Sequence, residues 1–535
     1  MDKQPDKTGL AAEYTALSTD RQPFLRRAHL CSKITIPTLI PRDSDRTTRT
    51  QHDVDVEQPW QAIGSAGVNA LTAKFLSNIF PANTPFYQFT IGKKEREELL
   101  KLEGEEATAM KAKLDAMLQG FEMECLEDME LSSLRPVVAN CFKHLIVGGN
   151  YAMYVSDDEI KGFPLDRYVC RRDGSGNVIK AVFKETVAPE ALDEEFLRKI
   201  TEGRPSDAEK VAKGQDLDIY TCLKRVSKGK FASWQEVLGH EVPGTRGRFT
   251  PETNPWMILR MVVVDGEDYG RSYVEELYGD LKTAEDLSKS IAQGAILSAQ
   301  VRWLVRPQGM TDIEDLEESQ NGDYVPGDQE DVTALRAEKL ADFQVAQQTL
   351  IATIDRLERA FLMQSSVQRN AERVTATEIG LMSQELQETL GAYYSLLAVE
   401  FQLPLIGRWV NKMQKQGRLP KWPKDSIRPR IITGIDALGR GQNLQRLRGF
   451  LQDLMAYSQI KATPLGPKMS DDEIVQRLAN GHGVDVSNLV IPDEVLQQQQ
   501  AEQQEAAQAQ ALAEKAAGPA AGALAQAATQ PQAAE

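Results

Sequence analysis

The 535-residue chain is poor in the residues that carry covalent and metal chemistry, with only five cysteines and five histidines. The cysteines (Cys31, Cys125, Cys141, Cys170 and Cys222) form no C-x-x-C pair. Their odd number and wide spacing argue against a disulfide scaffold or a zinc site and fit a reducing compartment. The histidines (His29, His52, His144, His240 and His482) are scattered, and no Ser-His or Cys-His pairing is legible. No Gly-rich loop followed by Lys-Ser/Thr is present to cradle a triphosphate, and Lys228-Gly229-Lys230 lacks the spacing. His240-Glu241 runs into Val-Pro-Gly, so the metalloprotease helix fails. Asp173-Gly-Ser-Gly reads as a turn, not a nucleophile elbow. Asp216 and Asp218 supply too few oxygens for a cation. Gly439-Arg440-Gly441-Gln442 has no strand before it and reads as a helix-connecting turn. We therefore expect no catalytic, cofactor-binding or metal-ligating residues. No run approaches the roughly 18–20 apolar residues of a membrane span. MDKQPDKTGLAAEY has no apolar core for a signal peptide. The expectation is a protein soluble when made, with no membrane partner.

A surplus of positive charge is also lacking. Lys and Arg number 62 against 78 Asp and Glu, a net charge of −16, which excludes a general nucleic-acid binder. The 41% hydrophobic and 26% charged content is ordinary for globular proteins, and the length allows several domains.

What is present is helix. Arg21–Ile91 reads as helical with turns at Pro37, Pro41 and Pro81–Pro85, and within it Ile63, Gly67, Leu71 and Phe75 recur at spacings of four. Leu277, Leu281, Ala284, Leu287 and Ile291 share one helical face, and so do Phe343, Leu350, Ile354, Leu357 and Phe361. Between these last two stripes lies an irregular segment with Pro307, Pro326 and several glycines. Thr375-Ala-Thr-Glu378 is a capping box for a further helix striped by Ile379, Met382, Leu386, Leu390, Tyr393, Leu397 and Phe401, with Pro404 as the next breaker. The middle of the chain changes to strands. Tyr151–Val155, Tyr168–Arg172 and Val178–Val187 are rich in aromatic and β-branched residues. Asp173–Asn177 and Ser227–Gly229 mark hairpins. Gly148-Gly149 is a plausible helix C-cap. Gln497–Glu535 is almost all Gln, Ala and Glu. The fold class expected is α+β, mainly α-helical. From pattern alone the function expected is that of structural machinery and not an enzyme, with a non-catalytic helical scaffold or adaptor of small oligomeric state as the alternative reading.

Five ordered blocks sharpen this. SVQRNAERVTATEI, ITIPTLIPRDSD (Ile34–Asp45), QPWQAIGSAGVNAL (Gln58–Leu71), DGEDYGRSYVEELYGDL (Asp265–Leu281) and IITGIDALGRGQ (Ile431–Gln442) resemble the corresponding blocks of the head–tail connector, or portal, proteins of short-tailed phages (podoviruses). The resemblance spans Arg21 to Asn488 and is poor at Gln308–Gln320 and after Gln497. It implies a portal fold of wing, stem, clip and crown, assembled as a homo-oligomeric ring of twelve. Residues 1–268 would form the N-terminal region and wing, 269–304 the first stem helix, 305–333 the clip and 334–364 the second stem helix. Residues 365–374 would be a channel loop, 375–496 a long helix, remaining wing and crown, and 497–535 the tail.

The resemblance also implies roles. Leu281, Leu287, Ile291, Leu350, Ile354 and Leu357 would pack subunits together. Asp312, Glu314, Asp315, Glu317 and Glu318 would make the clip an acidic dock for motor and tail. Gln368, Arg369, Asn370 and Arg373 would line the bore and touch double-stranded DNA non-specifically. Partners implied are further copies of the chain, the packaging terminase, the tail adaptor, and capsid, scaffolding and internal core proteins. The place implied is a virion vertex, reached from the host cytoplasm.

Overall fold

A computed structural model of the chain describes residues 9–41, 57–82, 84–92, 105–202, 205–227, 229–299, 302–335, 340–363, 389–423 and 426–432. All fall in the first of two compact units, 1–437.

The largest core joins helices. α2 (Ile63–Ile79), α4 (Leu134–Gly148) and helical residues 389–397 bury Val68, Leu71, Phe75, Phe142, Leu145, Leu390 and Leu397 together. The expected stripe of α2 is the buried one: Gly67, Leu71 and Phe75 all face inward. Gly67 is there because a Cβ would lie 2.5 Å from the Phe361 ring. α1 (Leu10–Ile34) begins before the expected helical region and carries Pro23 inside it. Its Arg21 is buried and donates to Tyr14 Oη and to the carbonyls of Leu165, Asp166 and Tyr168. One guanidinium thus satisfies the polar edge of the neighbouring sheet, the condition for burying such a group.

The expected strands near 151–155, 168–172 and 178–187 and the hairpin at 227–229 are present, and the structure adds Ile160–Pro164, His240–Glu241, Gly247–Phe249 and Trp256–Arg260. β2 (Asn150–Val155) lies between β3 (Ile160–Pro164) and β10 (Trp256–Arg260). β4 (Tyr168–Arg172), β5 (Val178–Val187), β6 (Leu217–Ser227), β7 (Lys230–Val237) and β8 (His240–Glu241) form an antiparallel meander, and β9 (Gly247–Phe249) also pairs with β7. The 173–177 turn works as its residues dictate. Asp173 Oδ1 accepts from the backbone N–H of Ser175 and Asn177, and Gly176 takes φ 80°. α5 (Glu194–Thr201) and α6 (Pro205–Ala212) connect β5 to β6, and Phe196 and Ile200 of α5 bury against Leu217, Ile219 and Val237.

Two expectations need correction. Residues up to Ile91 were expected to be helical, yet Tyr87–Ile91 is a strand, β1, paired antiparallel with β13 (Ile427–Ile431). Pro404 was expected to break a helix, yet the helix continues. Residues 389–397 pass through a π-turn, Ala398–Gln402, into α10 (Leu403–Lys415). Pro404 cannot donate to a carbonyl one turn back. The wider turn takes up the fault, with the Leu403 N–H bonding Ala398 O. The inward residues Leu390, Tyr394, Leu397, Phe401, Leu405, Trp409 and Met413 accordingly recur at slightly more than the ideal helical spacing.

The far end of α10 is tied to α3 (Glu105–Leu131) by ion pairs of Asp128 with Lys412 (3.3 Å) and Arg418, and of Glu124 with Arg418 (3.2 Å). Burial raises the Asp128 pKa, but the hydrogen bond from Arg418 and the charge of Lys412 outweigh it, and the net direction is down. A depressed carboxylate stabilises the fold above its unfolded pKa of about 3.9, and the contribution is lost as pH falls through the folded value. The melting temperatures of the parent and of Asp128→Asn should therefore differ at neutral pH and converge in acid. An equal gap at both would refute the linkage.

The cysteines are all buried. Burial pushes the Cys31 thiol up to about 11 and the Cys125 thiol up to about 12.

Candidate functional site: a helical hairpin and its acidic tip

The hairpin is launched by a local signature. Gly149 closes α4 at φ 73°, and a side chain there would strike the Arg271 backbone. Asn150, fully buried, accepts from Gly270 N (2.7 Å) and donates to Gly270 O (2.7 Å) and Gly148 O. This buried amide clamps the residues that enter α7 (Tyr273–Ala299). Ser272 caps α7 by accepting the Glu275 N–H at 2.9 Å, and Glu275 and Glu276 place negative charge in the first turn.

At 1.5 Å per residue α7 is about 40 Å long. α9 (Leu340–Ala360) packs along it. The expected second helix therefore starts at Leu340, not Ala334, because Val332–Leu335 is strand β12. The root is closed: Leu281, Ala284, Leu357 and Phe361 are fully buried. Tyr273 Oη donates to Ala360 O (2.7 Å), and burial pushes this phenol up to about 12, so it remains a donor. Glu285 accepts from the backbone N–H of Trp60 and Gln61, which ties α7 to the entrance of α2. Farther out the cover thins. Leu287, Ile291, Leu350 and Ile354 are only half-buried, while Ile296, Val345 and Ile351 are exposed. Gly294 lets α7 approach the Phe343 ring, where a Cβ would collide.

The tip is a two-stranded ribbon, β11 (Arg302–Val305) against β12, with Arg302 opposite Leu335 and Val305 opposite Val332. Successive strand residues face opposite sides, and both Trp303 and Leu304 are exposed. Among the described residues nothing covers these two side chains, and a bare two-stranded ribbon is marginally stable in water.

Beyond the ribbon, Asp331 organises the loop. Its buried carboxylate accepts from Met310 N (2.7 Å), Thr311 N (3.2 Å) and Thr311 Oγ1 (3.2 Å), with Arg306 Nη1 at 3.8 Å. Gly309 is required there, since a Cβ would lie 2.5 Å from Asp331 Cγ. Asp312 caps the short helix α8 (Ile313–Glu318) through the Glu314 N–H, and Glu314, Asp315, Glu317 and Glu318 are exposed on it. Between Trp303 and Thr333 the sequence holds nine carboxylates against one arginine, Arg306. Sequence reasoning found the acids but missed Asp331 and the apolar residues beside them. Only the fold distinguishes a buried carboxylate from an exposed one.

Among the described residues no group of His, Cys, Asp and Glu is arranged to hold a metal, and no helix is long and apolar enough to cross a membrane. Gln368, Arg369, Asn370 and Arg373 lie outside the described residues, as do the Thr375–Glu378 capping box and everything after Ile432.

Comparison with known proteins converges on one family. The family model for bacteriophage head to tail connecting proteins matches residues 7–490. The chain is 36% identical over 539 aligned residues to the portal protein of Escherichia phage T7, covering 98% of this chain and 97% of that one. It is also 36% identical over 531 aligned residues to the portal protein of Enterobacteria phage T3, covering 98% and 95%. Among solved structures, a chain from the neck of an empty GTA particle aligns over 76% of this chain and 90% of its own at 12% identity and a TM-score of 0.37, a likeness too loose to place any element. With a match of this length and relatives of this identity, the chain belongs to the bacteriophage head to tail connecting proteins.

Proposed function

We propose that the chain is the portal of a short-tailed phage, a homo-oligomeric ring set at one capsid vertex. Genomic DNA would enter and leave through it. The relatives that support this are portal proteins along nearly their whole length. The observation that carries the ring is the helical hairpin, whose apolar stripe is buried at its root and half-covered or bare farther out. A helix face of that kind needs a partner surface, and identical copies around a closed ring supply it without leaving an end uncovered. The protein would act by shape and binding, with ATP hydrolysis left to a separate packaging terminase. The ribbon and its acidic loop, as the clip, would meet that motor during filling and the tail adaptor afterwards. Capsid, scaffolding and internal core proteins would hold the wing. Ring assembly is tested by negative-stain images and native mass of the purified chain. Closed rings with a central channel support the reading, and a monomer at micromolar concentration would overturn it.

The loop of residues 365–374 is proposed as the place where the bore touches DNA. In a chain of net charge −16, Arg369 and Arg373 would give a few discrete phosphate contacts while the rest of the wall repels. Phosphate contacts carry no sequence information and weaken with salt. An Arg369→Ala, Arg373→Ala double variant should assemble normally, package any sequence, and leak packaged DNA increasingly as salt rises. Normal retention at all salt concentrations would remove the loop from the mechanism.

A further inference from the structure

The acidic loop at the tip of the hairpin also displays large apolar side chains. Met310 is 92% exposed and Tyr324 101% exposed, with Ile313 and Leu316 exposed between them. Single exposed apolar residues are common on any protein. Four within fifteen residues that also hold six carboxylates and no lysine or arginine are not explained by solubility.

The Met310 backbone is fixed before any partner arrives. Asp331, its side chain almost wholly buried, holds Met310 N and Thr311 N, and Thr311 Oγ1 in turn accepts from Asp328 N at 2.9 Å. Gly309 and Gly327 leave room for this packing, since a Cβ at Gly327 would lie 2.6 Å from Thr311 Oγ1. The Met310 side chain is therefore presented on an ordered turn, and binding need not supply the entropy of ordering the backbone.

We infer that Met310 and Tyr324 are apolar anchors for a long-lived protein partner whose docking face is basic and contains apolar pockets. This rests on the portal reading and identifies the occupant as the tail adaptor. The charge pattern excludes an acidic face. Acidic residues steer a basic partner and speed its arrival, whereas buried apolar anchors slow its departure. A motor that must leave after filling needs the first property and not the second. A tail that must stay needs both.

The test uses assembled rings of the full chain, with the phage's own tail adaptor as the probe and surface plasmon resonance as the readout at low and high salt. Met310→Ser and Tyr324→Ser should each speed dissociation on the order of tenfold, with an unchanged salt dependence of association. Glu317→Gln and Glu318→Gln should instead slow association and flatten its salt dependence. Asp331→Asn, which leaves Met310 in place but loosens its turn, should resemble Met310→Ser. Parent-like dissociation of both serine variants overturns the inference. Failure of those variants to form rings also overturns it, because a neighbouring copy would then cover the two side chains. So does a defect confined to binding of the packaging motor. If parent rings never bind the adaptor, it is the portal reading that fails.

Discussion

A Glu400→Gln variant should fold and then melt far below the parent, with a loss of roughly 3 kcal/mol. Glu400 lies in the π-turn, and its carboxylate accepts from Arg260 Nε (3.0 Å), Arg260 Nη2 (2.6 Å) and the Arg260 backbone N–H (3.0 Å), with Arg172 Nη1 at 3.7 Å. All three side chains are buried or nearly so. Glutamine keeps the shape but presents one acceptor and an amide donor to two guanidinium groups, so positive charge is left uncompensated away from water. Arg172 is less exposed to this loss, because Gly176 O, Ile258 O and Asp268 O also hold it. Removing both members of the closest pair, Glu400→Leu with Arg260→Leu, should recover much of the stability. Denaturant unfolding of the parent and the two variants provides the measurement. A single-variant loss within about 0.5 kcal/mol, the ordinary range for surface changes, would mean that the pair is solvated and structurally incidental.

Ile354→Asp should abolish ring assembly while leaving the subunit folded. In the isolated chain Ile354 is half-buried on α9, so a carboxylate there keeps part of its hydration. In a closed ring the same position would be covered by a neighbour, and symmetry repeats the unpaired charge at every interface. The effect on each contact is several kcal/mol, enough to shift the equilibrium from ring to monomer at micromolar concentration. Native mass spectrometry reads the outcome directly, and circular dichroism checks that the strands of the meander persist. Rings that survive the substitution would place Ile354 outside every interface.

Much of the architecture was legible because it is local. The Asp173–Asn177 turn, the Gly149 cap and the paired strands β6 and β7 each follow from chemistry within a few residues. The stripes of α2, α7 and α9 were likewise readable from spacing. What escaped depends on distant partners. Tyr-Gln-Phe-Thr-Ile does alternate apolar with polar residues of high β-propensity, but five residues are a weak signal until Ile427–Ile431 arrives to pair with them. Pro404 reads locally as a helix end, and the π-turn bond together with burial of Phe401, Leu405 and Trp409 on both sides of it carries the helix across. At the tip the acids could be listed from the sequence, but which of them is buried and which apolar residues stand clear of the surface are facts of packing. The proposed bore contacts of Arg369 and Arg373 follow from resemblance and not from periodicity. They are the part that most needs the leakage experiment.

The β1–β13 pairing has a consequence for synthesis. Thr90 and Arg428, hydrogen-bonded neighbours in that sheet, are 338 residues apart in the chain. At bacterial-type translation rates of roughly 5–20 residues per second, β1 waits on the order of 20–70 s for its partner to be made. During that interval one edge can already be occupied, because the buried Glu122 carboxylate accepts the Phe89 N–H at 2.6 Å and the Tyr87 hydroxyl reaches Glu122 O. The other edge stays open on the nascent chain. In a polysome making many copies side by side, it is an open template for the wrong strand. The late strand that closes it carries Pro429, which has no N–H to donate. The subunit thus becomes safe from its own siblings only when its last described strand has left the ribosome.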